Sequence, residues 1–268
     1  MGPTAGFAEL VQRPEADVPL DRAALLIAAH AQPELDVDSE LLALDELAAR
    51  CPFPTFDGWR RHLFDDLGYT GNVEQYYDPA NSFLNEVRQR RRGLPITLSV
   101  LGIEVGRRMG VPLSGVGMPG HFLVRWDGGG GPGGGPEGPL WVDPFLGGRV
   151  LDRAACEERF HAVNGAGAPF LPSYLAPTGS YAILARILMN LRGIYANRGD
   201  LAALEWVFEL RLLIPGTSQL ERRDLARVLG STGQFVDAAE SLEELAEQFP
   251  DAADSLRAEA QALRARLN

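Results

Sequence analysis

NSFLNEVRQRRRGLPITLSVLGIEVGRRMGVP, residues 81–112, holds two helical periods separated by a break. The spacing predicts one helix from Asn81 to Arg91, ended near Gly93. A longer helix is predicted from Pro95 to Met109, because proline suits a first turn whose N–H groups lack helical partners anyway. Leu98, Leu101 and Val105 share one face of it and read as a buried stripe. Beyond Leu113 the period drops to two: LSGVGM at 113–118 and HFLVRW at 121–126 read as neighbouring strands, and PLWVDPF and GRVL as further ones. A helix followed by successive strands predicts an α+β core with an antiparallel sheet. The glycine-rich stretch DGGGGPGGGPEGP, 127–139, has no GK[ST] and no helix after it, so it reads as a long hairpin connection and not a phosphate loop.

Upstream, DRAALLIAAH at 21–30 and DSELLALDELAAR at 38–50 read as helices, each opened by an aspartate suited to N-capping. CPFP at 51–54 ends the second, and a third helix runs from Phe56 to Leu67 with Gly68 as its C-cap. The organisation expected is an acidic helical segment at 1–57, a core at 58–165 closed by a helix over 151–163, a linker at 166–179, and helices at 180–268. The last region repeats: a shift of 34 places Asn190 on Asp224, Gly199 on Gly233 and Phe208 on Leu242, with Pro215 and Pro250 after each second helix. That period, with glycine at the turn, is that of tetratricopeptide (TPR) repeats, residues 252–267 serving as the cap.

All 25 basic residues are arginine, so chemistry that depends on lysine, such as Schiff bases or a phosphate-loop lysine, is excluded. The net charge of −11 argues against nucleic acid as partner. The charge is concentrated: residues 1–57 sum to −8, 58–180 to zero and 181–268 to −3. No apolar run reaches membrane-span length and no signal peptide is evident, so a cytoplasmic, non-membrane protein is expected. Two cysteines, Cys51 and Cys156, are too few for a disulfide framework or a structural zinc site, and no metal or cofactor is expected.

The order of a helix, a strand bearing His121 and a strand bearing Asp143 resembles the transglutaminase-like core, a papain-related fold. The run NSFLNEVRQRRRGLPITLS with PGHFLV, DPF and a TPR-like tail is similar to a bacterial family often labelled a regulator of sirC expression, over about residues 20–265. The resemblance implies a Cys nucleophile at the start of the buried helix, a His base on one strand and an orienting Asp on the next. His121 and Asp143 match the last two members, but the nucleophile position falls on Pro95, which has no nucleophilic atom. Thr97 and Ser99 stand two and four residues further along the helix. Cys51 precedes the core, and Cys156 follows Asp143.

The leading expectation is therefore a non-catalytic scaffold or regulator that binds a protein or peptide through its core groove and tail. The alternative is a Cys-independent hydrolase or amidase using Thr97 or Ser99 with His121 and Asp143. Asn81 and Asn85 are candidate binding residues, although N-capping also accounts for one of Asn81 and Ser82. Arg88, Arg90, Arg91 and Arg92 form the densest positive patch. They read either as a solvated helix end or as an anchor for an acidic partner or the chain's own acidic helices.

Overall fold

The structure, a computed structural model, describes residues 2–128 and 138–266. Its elements in chain order begin with helices α1 (Pro3–Val11), α2 (Leu20–Ala31), α3 (Val37–Ala49) and α4 (Phe56–Arg60). Strand β1 (Thr70–Gly71), α5 (Leu84–Arg90), β2 (Arg92–Gly93) and α6 (Pro95–Arg108) follow. Next come β3 (Leu113–Val116), β4 (Leu123–Trp126), β5 (Leu140–Asp143), β6 (Arg149–Leu151) and α7 (Arg153–Asn164). The chain continues through α8 (Ser180–Arg198), α9 (Leu201–Leu213), α10 (Glu221–Ser231), α11 (Phe235–Gln248) and α12 (Ala253–Ala265). The glycine-rich connection falls largely on 129–137, outside the described residues; β4 and β5, which it joins, pair antiparallel.

The chain forms two compact units, Pro14–Ile187 and Met1–Arg13 with Leu188–Asn268. This departs from the expected division. Residues 14–57 belong to the same unit as the core, and residues 1–13 join the C-terminal helices. The stretch 166–179 is also part of the first unit: Leu175 is buried in a cluster with Val116, Met118, Trp141 and Phe160. Its three prolines interrupt helix but do not keep Leu175 out of the core.

In the larger unit β3-β4-β5-β6 form an antiparallel sheet in sequence order, Val116 facing Leu123 and Val142 facing Val150. A two-stranded parallel sheet, absent from the sequence reading, pairs Thr70 with Arg92 and Gly71 with Gly93. The predicted stripe of α6 is buried, and so is most of the rest of the helix from Pro95 to Gly106. A helix with apolar neighbours all round is a central element, not an amphipathic cover. Close approach needs small residues: Trp59 donates from Nε1 to the Gly102 carbonyl at 2.8 Å, and a Cβ on Gly102 would stand 3.0 Å from the indole.

Three local expectations are corrected. Asp21 lies inside α2 and is buried; Pro19 precedes the helix, and no side chain caps it. The second helix is capped by Asp36, not Asp38, through the main-chain N–H groups of Asp38 and Ser39. Asn81 does not open α5. It lies in a short 3-10 turn, Pro79–Ser82, and α5 starts after Phe83 with no side-chain cap.

Asp21 is instead half of a buried charge cluster. Arg108 donates to Asp21 at 2.7 Å, to Glu104 at 3.1 Å and to Asp45 at 2.6 Å. Burial and the Asp21 charge push the Glu104 carboxyl up. Burial would do the same to Asp21, but hydrogen bonds from Arg108 and the Arg22 main chain, with the Arg108 charge, outweigh it and hold that group down.

In the smaller unit α9, α10, α11 and α12 pack in succession, and α1 packs on α9. Gly199 and Gly233, equivalent at the 34-residue shift, both take positive φ at the interhelical turns. Among the described residues no helix is long and apolar enough to cross a membrane.

Replacing Arg108 with Ala leaves the buried Asp21 and Glu104 carboxylates to Arg107 alone and is expected to cost about 3 kcal/mol at pH 7. A group whose folded pKa is raised binds its proton more tightly when folded, so Glu104 disfavours folding increasingly as pH climbs above its ordinary value of 4.5. The Arg108→Ala penalty should therefore shrink as pH falls towards 5. Urea unfolding of both chains at pH 5 and pH 7.5 checks this; equal penalties at the two values would refute it.

Candidate functional site

Met118 and Gly120 set the position of His121. Its N–H donates to the Met118 carbonyl at 2.9 Å across Pro119-Gly120, and Gly120 has φ +76. Proline then glycine at the two central positions is what a type II turn requires. His121 therefore sits in the turn leading into β4, two residues before the strand, and not on the strand as its pattern suggested.

Asp143 is the last residue of β5 and opens a 3-10 turn at Pro144–Leu146. Its two carboxylate oxygens have separate partners. Its Oδ1 accepts from the N–H groups of Phe145 and Leu146 at 3.0 and 3.2 Å, while Oδ2 lies 2.7 Å from His121 Nε2. The turn thus fixes the carboxylate, and the carboxylate fixes the ring. A carboxylate only accepts, so Nε2 carries the proton of a neutral His121 and Nδ1 keeps its lone pair. Nδ1 makes no hydrogen bond among the described residues. His121 is 4% exposed and Asp143 is fully buried.

Arg159 of α7 brings its Nε to 3.7 Å from Asp143 Oδ2, a charge contact rather than a hydrogen bond. Phe145 meets the imidazole edge-on at 6.4 Å, and Tyr76 meets Phe145 at 6.0 Å. Gly71 allows this, since a Cβ there would fall 2.3 Å from the Phe145 ring. Val73, Tyr76, Tyr77 and Leu146 expose apolar surface on these same segments.

The candidate hydroxyls are spent elsewhere. Thr97 Oγ1 donates to the Asn81 carbonyl at 2.5 Å, and Ser99 Oγ donates to the Pro95 carbonyl at 2.8 Å. Both side chains are fully buried, and neither is hydrogen-bonded to His121. Pro95, also buried, is the first residue of α6.

Cys156 is fully buried in the cluster behind the sheet; burial, then the charges of Asp152 and Asp143, push its thiol up to about 12. A thiol held there is not a nucleophile near neutrality. Cys51 donates to the Phe53 carbonyl at 3.3 Å.

The expected binding residues have structural partners. Asn81 donates to the carbonyls of Gln75 and Tyr76 and accepts from Asn72, which shapes the loop carrying Tyr76. Asn85 donates to Gln32 at 2.6 Å, leaving its own Oδ1 without a partner in the structure. The arginine patch is not a free solvated face. Arg88 pairs with Glu40 of the acidic helices and Arg90 with Asp78, each at 2.9 Å. Arg91 and Arg92 donate to the carbonyls of Leu67 and Gly68.

Tyr76, Arg159 and Arg186 carry no motif that marks them in the sequence as neighbours of the pair, whereas Phe145 stands in the DPF motif. Those three reach the site only through folding. Among the described residues no cluster of His, Cys, Asp and Glu could hold a metal ion.

The family profile Transglut_core2, described as transglutaminase-like superfamily, matches residues 26–189, which include His121, Asp143 and the neighbouring Tyr76, Phe145, Arg159 and Arg186. A UPF0162 protein of Xylella fastidiosa (strain Temecula1) is 43% identical over 200 residues, 69% of each chain. A UPF0162 protein of Pseudomonas aeruginosa is 31% identical over 206 residues, 73% of this chain and 71% of its own. The human F-box only protein 21 is 38% identical over 102 residues, 35% of this chain and 15% of its own. No solved structure matches the chain significantly. With the His121–Asp143 pair in place and the match spanning most of its length, the chain belongs to the transglutaminase-like superfamily and, within it, to the UPF0162 family.

Proposed function

We propose that this protein is a non-catalytic member of its superfamily that binds a protein or peptide segment at the His121–Asp143 site and acts as a regulatory scaffold. One observation carries the reading: the His–Asp pair is kept and buried, while Pro95 occupies the position where the family resemblance expects the thiol. Thr97 and Ser99 are held by main-chain carbonyls, and Cys156 is protonated and sealed in the core. What remains is binding chemistry. Nδ1 can accept from an amide N–H, and Tyr76, Tyr77, Val73 and Leu146 offer apolar surface to side chains. The paired C-terminal helices with their 34-residue period support TPR-like partner binding. The F-box only protein 21 carries the matching segment in a much longer chain, which supports reading it as a module usable in more than one setting. Residence in the cytoplasm is part of this proposal.

A second reading is a Cys-independent hydrolase or amidase using Thr97 or Ser99. It is favoured by the same pair, since an imidazole oriented by a carboxylate, with its other nitrogen unengaged, is what a general base needs. Thr97 would have to leave the Asn81 carbonyl to serve it.

Fluorophosphonate labelling separates the two. The scaffold reading expects no adduct on the full-length chain. An adduct on Thr97 or Ser99 that disappears in His121→Ala would establish the hydrolase and overturn the scaffold. Iodoacetamide at pH 8 should modify Cys51 alone in the folded protein and reach Cys156 only after denaturation, as read by peptide mass spectrometry. Rapid native modification of Cys156 would contradict its placement in the core.

A further inference from the structure

Arg186 lies on α8 in the same compact unit as His121 and Asp143. Its guanidinium faces the turn that carries His121. Nη2 donates to the His121 carbonyl at 2.8 Å, and both terminal nitrogens approach the Met118 carbonyl at 3.4 and 3.5 Å. It stacks over Phe122 at 5.5 Å. Gly117 lies beside it, and a Cβ there would stand 3.4 Å from Nη1.

The side chain is half-buried, and burial pulls its pKa below the ordinary arginine value; the titratable group that acts against this is the Tyr76 phenol. No carboxylate pairs with it among the described residues. Other sheltered arginines do have a carboxylate: Arg88 has Glu40, Arg108 has Asp21 and Arg211 has Glu221. Carbonyl oxygens satisfy N–H groups but do not neutralise the charge. A desolvated cation without a counter-ion costs free energy that an incoming anion would recover. The charge here is single, because Arg159, the other cation near the pair, already faces Asp143. A single fork-shaped cation matches a monovalent carboxylate, whereas a phosphate dianion calls for more than one.

We infer that Arg186 is the anion-recognising element of this site, and that the segment bound there presents a carboxylate beside His121. The inference rests on the binding reading above and adds the chemical class of its ligand. The carboxylate can come from an acidic side chain or from a chain terminus.

The test is NMR on the full-length protein with labelled arginine and histidine. The probes are N-acetylglutamate N-methylamide, its glutamine counterpart, N-acetylalanine and inorganic phosphate. We expect saturable shifts of the Arg186 Nε and His121 ring signals with the glutamate probe, with N-acetylalanine, or with both, which identifies the source of the carboxylate. The glutamine probe should bind at least roughly tenfold more weakly, the scale of one charge-assisted hydrogen bond. Arg186→Gln should remove that preference and Arg186→Lys retain part of it. Because the paired probes are compared on the wild-type chain, the test stands even if Arg186→Gln does not fold. Equal binding of the glutamate and glutamine probes overturns the inference and leaves the peptide-binding reading intact. Phosphate binding more tightly than either carboxylate also overturns it. Absence of any shift with every probe overturns both.

Discussion

The burial of α6 is the constraint on which the larger unit depends. A helix sealed on nearly every side leaves no water for its polar groups, so each must be satisfied inside the protein or cost free energy. Thr97 answers by bonding to Asn81, Ser99 by bonding to Pro95, and Glu104 through Arg107 and Arg108. Each answer recruits another element. The Asn81 carbonyl ties the loop before α5 to the first turn of α6, and Arg108 ties α2 and α3 to its last turn. Thr97 and Ser99, near the start of this buried helix, are thus hydrogen-bonded into its scaffold.

The same economy shapes the candidate site. One carboxylate, Asp143, terminates a strand, caps a turn and orients an imidazole, with each oxygen given a separate task. Removing it would disturb fold and site together. The hydroxyls follow the opposite pattern, since their hydrogen bonds serve packing alone. That contrast separates the residues that build the His121–Asp143 pair from those that build the helix beside it.

Much of this was legible in the linear sequence. The break at Gly93, the proline start at Pro95 and the period change after Leu113 locate α6 and the sheet, because local periodicity and proline chemistry act within a few residues. The order of His121 and Asp143 pointed to their pairing, and the geometry supplies it at 2.7 Å. Helix caps were less legible. Asp21 and Asp36 lie at or near the predicted starts, yet Asp21 meets its buried partners in Arg107 and Arg108, 86 and 87 residues away. The arginine patch left two readings open for the same reason, since Glu40 of the acidic helices is remote in sequence and Asp78 lies in an irregular loop.

The distribution of acidic residues illustrates the division. Sequence alone determined that the acids gather in the first 57 residues, that lysine is absent and that Pro95 cannot attack anything. It also determined the helix and strand periods, since these express how side chains alternate about their own backbone. Tertiary structure decided which acids meet which arginines, which hydroxyls are spent on carbonyls, and which arginine, Arg186, is left without a counter-ion beside His121. Those outcomes depend on contacts between segments tens of residues apart and on the burial those contacts create, and neither is encoded in local spacing.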